Sequence, residues 1–269
     1  MTLRSLAGPA AALFLATGCL AVGSQETLHQ VTPQRPTVSS DTNTVPGGAL
    51  ELESGVTWDP GDLVDTPNTL KYGLAPGTEA SIGFSPLVYA ELPGEDGFGI
   101  SDLFLGIRHR FVDGADGRPS YAFLARTKLP TADEGEGLGT GEIDFRLALI
   151  ASFGYGPIGL TSYYEAGFLG EINGDDTDLE HTLALAATGP QKGALGTFAE
   201  LATIYSPERD FEAGLITTGI TWSDRPDQVL DAGLVIGFGN DGPDLQFVVG
   251  MTRALGQARE LSRSLRRRN

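Results

Sequence analysis

The residues of this sequence best suited to chemistry are charged, and they recur at alternate positions of four successive segments. The candidates are Arg108, Arg110, Arg126, Lys128, Glu142, Asp144, Arg146 and Glu165. Alternate side chains of a strand share one face, and neighbouring strands lie about 4.8 Å apart. These residues are therefore expected to form ladders of opposite charge across strands. Such a surface predicts a charged constriction that selects small solutes.

A second interpretation of the same residues stays open. Further charged residues fall on the same predicted face, namely Glu51, Glu53, Lys71, Glu79, Asp102, Glu180, Glu200 and Asp231. Charges that are removed from water need partners. The alternative is therefore an interior filled by its own ion pairs, with no open passage.

The elements that carry these charges are predicted to be β-strands. In the clearest segment, 141–153, Ile143, Phe145 and Leu147 begin an apolar face, and Glu142 and Asp144 begin a charged one. Similar alternation predicts about twelve strands, at 49–58, 68–74, 78–85, 101–111, 120–129, 141–153, 157–169, 178–188, 195–206, 211–222, 228–238 and 244–254. An even number of strands of this length is typical of a transmembrane β-barrel.

The predicted fold is therefore all-β, a single antiparallel transmembrane β-barrel of about twelve strands that spans residues 49–255. Alternation alone does not say which face points inward. Gly106, Ala148 and Gly233 interrupt the charged face, and small residues fit a crowded interior better than a solvated exterior.

Connector lengths give an independent indication of the barrel. One set of connectors, on average the longer, is strongly acidic and lies at 59–67, 86–100, 130–140, 170–177, 207–210 and 239–243. The other set lies at 75–77, 112–119, 154–156, 189–194 and 223–227. Outer-membrane barrels have long outer loops and short periplasmic turns, so the first set is predicted to face outward.

The N-terminus has the pattern of an export signal. Arg4 precedes an apolar run at 6–16, which is too short for a transmembrane helix, and residues 1–23 are predicted to be a signal peptide. Residues 16–19 resemble a lipoprotein box, which makes Cys19 a candidate lipidation site. Alternatively, an ordinary peptidase removes it with the leader. As the single cysteine, it has no partner for an internal disulfide.

Two segments outside the predicted strands lack a core pattern. Residues 24–48 are rich in Ser, Thr, Pro and Gln, which predicts a flexible N-terminal arm, with a plug inside the barrel as the alternative. Residues 256–269 form a basic C-terminal tail with five arginines, expected to be a short helix or disordered.

Composition and motifs exclude several classes of function. The formal charge of −17 and the pI of about 4.4 argue against nucleic-acid binding. His29, His109 and His181 are scattered, and no hydrolase elbow, zinc-protease motif or second cysteine occurs. No enzymatic activity and no cofactor are predicted, with a Ser–His pair assembled across strands as the alternative. The acidic run 173–178 lacks a calcium-loop pattern, so no metal site is predicted.

Three segments resemble a family of outer-membrane transporter barrels related to the phenol meta-pathway degradation proteins. They are 100–111 (ISDLFLGIRHRF), 128–141 (beginning KLPT and ending GTG) and 230–252, which contains LDAG, GNDGPD and LQFVVGMT. The resemblance covers about residues 49–254 and implies a single-chain barrel that passes small, apolar or aromatic solutes. One departure is the absence of a terminal aromatic residue, because Thr252-Arg253-Ala254-Leu255 and the basic tail stand there.

Together these patterns predict an exported protein of the bacterial outer membrane that acts as a passive channel or uptake protein. Its expected partners are outer-membrane lipid and a small-molecule solute. Two alternatives remain: a structural or binding barrel with a charge-filled lumen, and a soluble periplasmic barrel that carries an apolar ligand. The carrier would require the apolar faces to point inward.

Overall fold

The computed structural model describes residues 28–91, 96–115, 117–170 and 177–257. Several predicted features lie outside these ranges: the signal peptide at 1–23, Cys19, residues 173–176 of the acidic run, and residues 258–269 of the basic tail. No helix long and apolar enough to cross a membrane occurs in the ranges described.

Fifteen strands account for most of the described chain. They are β1 Ala49–Asp59, β2 Leu63–Asp65, β3 Asn68–Ala75, β4 Thr78–Phe84, β5 Val88–Ala90, β6 Gly97–Gly99, β7 Leu103–Val112, β8 Ser120–Leu129, β9 Asp144–Tyr155, β10 Ile158–Gly170, β11 Thr177–Thr188, β12 Leu195–Ser206, β13 Phe211–Arg225, β14 Gln228–Gly239 and β15 Leu245–Gln257.

Twelve of these strands form a closed antiparallel barrel. The order around the wall is β1, β3, β4, then β7 to β15, and β15 pairs with β1 to complete the ring. The closing register places Gly55 opposite Gly250 and Trp58 opposite Phe247. A closed barrel leaves no unpaired strand edge, which is why strands of this length are stable without a second layer. The predicted all-β barrel of twelve strands is confirmed.

The three short strands extend the wall at one end. β2 pairs with β1 beyond the point where β3 pairs with it, β5 pairs with β2, and β6 pairs with β5. Each short strand therefore lies in line with a strand of the ring and is separated from it by a short break: β2 from β3, β5 from β4, and β6 from β7. Pro67 and Pro86 lie at two of these breaks, where a missing N–H interrupts the ladder. All three lie in predicted connectors, because a strand of three residues is too short to show alternation.

The two faces of the wall differ sharply in polarity. Glu51, Lys71 and Glu165 point inward and expose 2% or less of their surface, whereas Leu149 and Leu185 point outward and expose 59% and 63%. Many other large apolar side chains are exposed in the same way: Leu70, Ile82, Leu105, Ile107, Phe145, Leu147, Phe168, Leu183, Leu201, Ile216, Ile220, Ile236 and Phe247. The apolar face is thus outside and the charged face lines the interior, which is the reverse of a water-soluble barrel.

Aromatic pairs mark both ends of the wall. Trp58 stacks on Phe247 at the end with the long loops, with ring centroids 5.3 Å apart. Phe111 stacks on Tyr121 at the end with the short turns, at 6.4 Å. Rings at these two levels are typical of the girdles where a barrel meets the membrane interfaces.

Candidate functional site

The interior contains a ladder of alternating charges on strands β8 to β11. Arg126 and Arg146 are directly opposite each other on β8 and β9. Glu165 on β10 lies 2.5 Å from Arg126 and 3.4 Å from Arg146, and Glu180 on β11 lies 2.5 Å from Arg146. The Tyr163 hydroxyl donates to Glu165 at 2.6 Å. Four of the charged residues in this ladder therefore neutralise one another across the wall, three of them predicted site residues.

A second cluster lies nearer the long loops. The Lys128 ammonium is 3.0 Å from Asp144 and 3.5 Å from Asp102, and it donates to the Thr140 hydroxyl at 2.6 Å. Asp102 also accepts the backbone N–H groups of Thr131 and Ala132, both at 2.9 Å. This cluster connects the loop 130–143 to the end of the wall that carries the long loops.

Three predicted site residues lie apart from these clusters. Arg108 is buried on β7, 3.6 Å from Glu79. Arg110 lies at the short-turn end and pairs with Asp113 at 2.7 Å. Glu142 precedes β9, which begins at Asp144 instead of at Gly141, because Gly141 has a φ of +73° and closes the loop.

A further cluster on β1 and β3 was not among the predicted site residues. Lys71 is 2.9 Å from both Glu51 and Glu53, and the His29 ring is 2.8 Å from Glu51. Alternation along β1 and β3 had placed the lysine and both acids on the inward face. Their convergence was not predictable, because His29 reaches them from a segment without any strand pattern.

That segment, residues 28–48, lies inside the barrel, in the plug position that the sequence offered as an alternative to a flexible arm. We call it the arm. Val31 donates its N–H to Pro226 in a short turn at 2.9 Å, and Gly48 donates to Gly73 at 2.7 Å. Both ends of the arm thus lie at the short-turn end, and its middle rises into the interior beside the paired Gly55 and Gly250.

Carboxylates of the wall accept the backbone N–H groups of the arm. Gln34 donates to Glu53 at 2.8 Å, and Val45 donates to Glu79 at 2.8 Å. Val38 and Ser39 donate to the two oxygens of Glu200 at 2.7 and 2.8 Å. Backbone donors without such partners would be costly in a buried position. The inward acids therefore stabilise the arm as well as the wall.

Glycines of the wall make room for the arm. A Cβ at Gly55 would lie 2.1 Å from the Arg35 guanidinium, and one at Gly250 would lie 2.5 Å from it. A Cβ at Gly73 would lie 2.0 Å from the Pro46 oxygen. The contact at Gly73 is with backbone, so this position accommodates the arm only as glycine. At Gly55 and Gly250 a side chain would displace the guanidinium of Arg35.

A cavity of about 380 Å³ remains on the loop side of the arm. The arm contributes Gln34, Thr37 and Ser40 to its lining, and the wall contributes polar residues from β3, β4, β7 and β8, including Asn68, Lys71, Ser81, Arg108 and Arg126. Among the described residues, the Nε atoms of Arg108 and Arg126 have no hydrogen-bond partner. Glu53, Asp65 and Glu79 also line the cavity, so its wall carries both signs of charge.

The outward rim carries further polar contacts. Tyr89 on β5 donates to Asp96 at 2.8 Å, and this hydrogen bond to a carboxylate raises the pKa of the Tyr89 hydroxyl. Phe98 on β6 donates its N–H to Glu136 at 3.2 Å, which joins two of the long loops.

The remaining histidines lie on the outward face of the wall. His109 lies 2.9 Å from the Thr78 hydroxyl and His181 lies 3.0 Å from the Tyr164 hydroxyl. Neither contact forms a Ser–His pair. In the described ranges no group of three or more His, Cys, Asp or Glu side chains is placed to hold a metal ion.

Comparison of the fold with solved structures identifies porins. The chain is similar to the KdgM porin, with a TM-score of 0.54 and 9% identity over 76% of this chain and 98% of the porin. It is similar to the NanC porin, with a TM-score of 0.54 and 11% identity over 76% and 99%. No protein-family model and no curated sequence matches the chain. The porin-like barrel is supported, whereas the resemblance to the phenol meta-pathway proteins remains a prediction.

Proposed function

We propose that the chain is an outer-membrane β-barrel that serves as a passive, non-enzymatic channel for the uptake of small solutes. The observation that carries this proposal is the inverted polarity of the wall, with apolar side chains outside and charges inside. Exposing so much apolar surface to water would be unfavourable, whereas lipid accommodates it.

Two further observations support the proposal. Aromatic pairs at both ends of the wall fit the two interfaces of a bilayer. The fold is similar to that of two porins, and residues 1–23 have the pattern of an export signal. We also propose that Cys19 is either lipidated or removed with this signal in a Gram-negative host.

The lining of the interior bears on the class of solute. The family resemblance implies apolar or aromatic solutes, but many of the side chains that line the cavity are polar or charged, namely Asn, Gln, Ser, Thr, Lys, Arg, Glu and Asp. Such groups bind polar solutes that accept hydrogen bonds. We therefore propose polar solutes, which would contact Asn68, Ser81 and Arg126 in this lining.

A second candidate function is a structural or binding barrel with a closed interior. The ion pairs of the ladder and the presence of the arm favour it, because both occupy space that a solute would need. The soluble carrier is disfavoured, since its apolar faces would have to point inward.

Cell fractionation followed by gel electrophoresis with and without boiling tests the membrane location. We expect the protein in the outer-membrane fraction, with a folded form that migrates differently until it is boiled. Conductance in planar bilayers then tests the channel. Recovery in the soluble periplasmic fraction would overturn the proposal, and a folded membrane protein that never conducts would favour the closed barrel.

A further inference from the structure

The arm crosses the interior from wall to wall. Residues 28–35 lie against β1, β3 and β15, where His29, Gln34 and Arg35 contact Glu51, Glu53 and the Val249 carbonyl. Residues 38 and 39 reach Glu200 on β12. Thr42 reaches Ser120 on β8 and Ser152 on β9. These strands lie on different sides of the ring, so a solute that enters from the short-turn end meets the arm.

We infer that the arm is a displaceable plug that closes the channel at its short-turn end, and that its release opens the passage. This inference rests on the proposed channel function and adds its regulation. The cavity of about 380 Å³ is then the part of the passage that remains accessible from the long loops while the plug is seated.

The wall is shaped to receive the arm. Glycine stands at three points of close approach, Gly55, Gly73 and Gly250. Arg35 fits the space left by the first and last of these and lies 3.8 Å from the buried carboxylate of Asp231. A loosely held segment would need neither glycines at its points of contact nor wall carboxylates placed to accept its N–H groups. The arm therefore has a specific seat.

The seat is nevertheless polar, which makes release feasible. The fully buried apolar side chains of the arm are Val31 and Val45, and Val38 is partly buried. Its other anchors are polar contacts, among them the hydrogen bonds to Glu53, Glu79 and Glu200. Water can replace polar contacts when the arm leaves, whereas it cannot replace apolar packing. Segments with few apolar contacts open at lower free energy than a core.

A disulfide that locks the arm to the wall tests the inference directly. The hydroxyls of Thr42 and Ser120 are 2.5 Å apart, which suits a cross-link between cysteines at these positions. Under either form of leader processing, Cys19 offers no free thiol. In planar bilayers the oxidised double variant T42C/S120C is expected to lose conductance, and a reducing agent is expected to restore it. The single variants T42C and S120C, which cannot cross-link, should not respond to the reductant.

A second variant releases the arm. Gly73→Leu places a side chain where the backbone carbonyl of Pro46 lies and should raise conductance above that of the wild type. Gly154→Leu is the matched control, because a Cβ added at Gly154 would meet no atom within 4 Å. Removal of residues 28–44 should give the largest increase. Heat-modifiable mobility establishes that each variant is folded.

The outcomes separate the plug from the channel. A measurable conductance that is the same in the oxidised, reduced and arm-deleted proteins would overturn the plug and leave the channel function intact. A folded, arm-deleted protein that does not conduct would overturn the channel function and the plug with it. A conductance that falls on oxidation, recovers on reduction and rises on arm deletion would support both the plug and the channel.

Discussion

At the scale of residues, Glu165 is the centre of the interior charge network. Arg126 and Arg146 are directly opposite on adjacent strands, an arrangement that is unfavourable for like charges. Glu165 is 2% exposed and accepts from both arginines and from Tyr163. One carboxylate thus converts a repulsive pair into a neutralised ladder, and its removal leaves two cations without their shared partner.

We expect Glu165→Ala to destabilise the folded barrel by about 3 kcal/mol, the lower part of the range for breaking a buried ion pair. The free energy of unfolding in urea, measured in lipid vesicles, provides the test. Glu142→Ala is the matched control, because the carboxylate of Glu142 has no ion pair among the described residues, and its change should stay within about 0.5 kcal/mol. Equal effects of the two substitutions would contradict this role of Glu165.

At the scale of elements, the side chain of Asp102 anchors the start of the long loop 130–143. Asp102 lies between the end of β6 and the start of β7 and accepts two backbone N–H groups of this loop. It also lies 3.5 Å from Lys128 at the end of β8. The loop contains Gly135, Gly137, Gly139 and Gly141, which leave its backbone conformationally free, so its anchors matter.

We expect Asp102→Ala to loosen the loop, because two N–H donors and Lys128 lose an acceptor, at a cost of about 1–3 kcal/mol. Hydrogen exchange measured by mass spectrometry should become faster in 130–143 and stay unchanged in β11 and β12. Asp113→Ala is the control, since the side chain of Asp113 is 84% exposed and, among the described residues, forms its one hydrogen bond with Arg110. Faster exchange throughout the barrel would instead indicate that Asp102 supports the whole wall.

At the scale of the whole molecule, the barrel encloses its own N-terminal segment. Strand pairing closes the wall completely, from β1 to β15, so the interior is separated from the outer surface along the whole strand length. The outer surface meets lipid in the proposed function, and the interior meets water, solute and the arm. One substitution on each surface should therefore have very different consequences.

We expect Leu183→Arg to impair membrane insertion, at a cost of about 2–4 kcal/mol for a charge near the middle of the lipid-facing wall. Leu183 is 55% exposed and lies midway along β11. Glu208→Arg in an outward loop serves as the control and should insert normally. The insertion of both variants is measured by folding them into lipid vesicles and comparing their gel mobility with and without boiling. A soluble carrier would show improved solubility with Leu183→Arg and no loss of folding.

Some of this architecture was determined by the sequence alone. Alternation of period two along strands such as β9 and β12 depends only on local backbone geometry, so the strand type, the strand count and the set of charges that share one face were predictable. The ladder of Arg126, Arg146, Glu165 and Glu180 followed from the same alternation. The short strands β2, β5 and β6 were missed, because three residues carry no measurable period.

Only the tertiary structure decided what fills the barrel. The arm has no periodic pattern, and its position depends on closure of the ring, which brings Glu53, Glu79 and Glu200 around one space. Closure also decided which face points inward, since alternation is the same in a membrane barrel and in a soluble one. Gly55 and Gly250 are nearly 200 residues apart in sequence and become a seat for Arg35 only when β15 pairs with β1. Long-range pairing creates such a seat, and no local pattern encodes it.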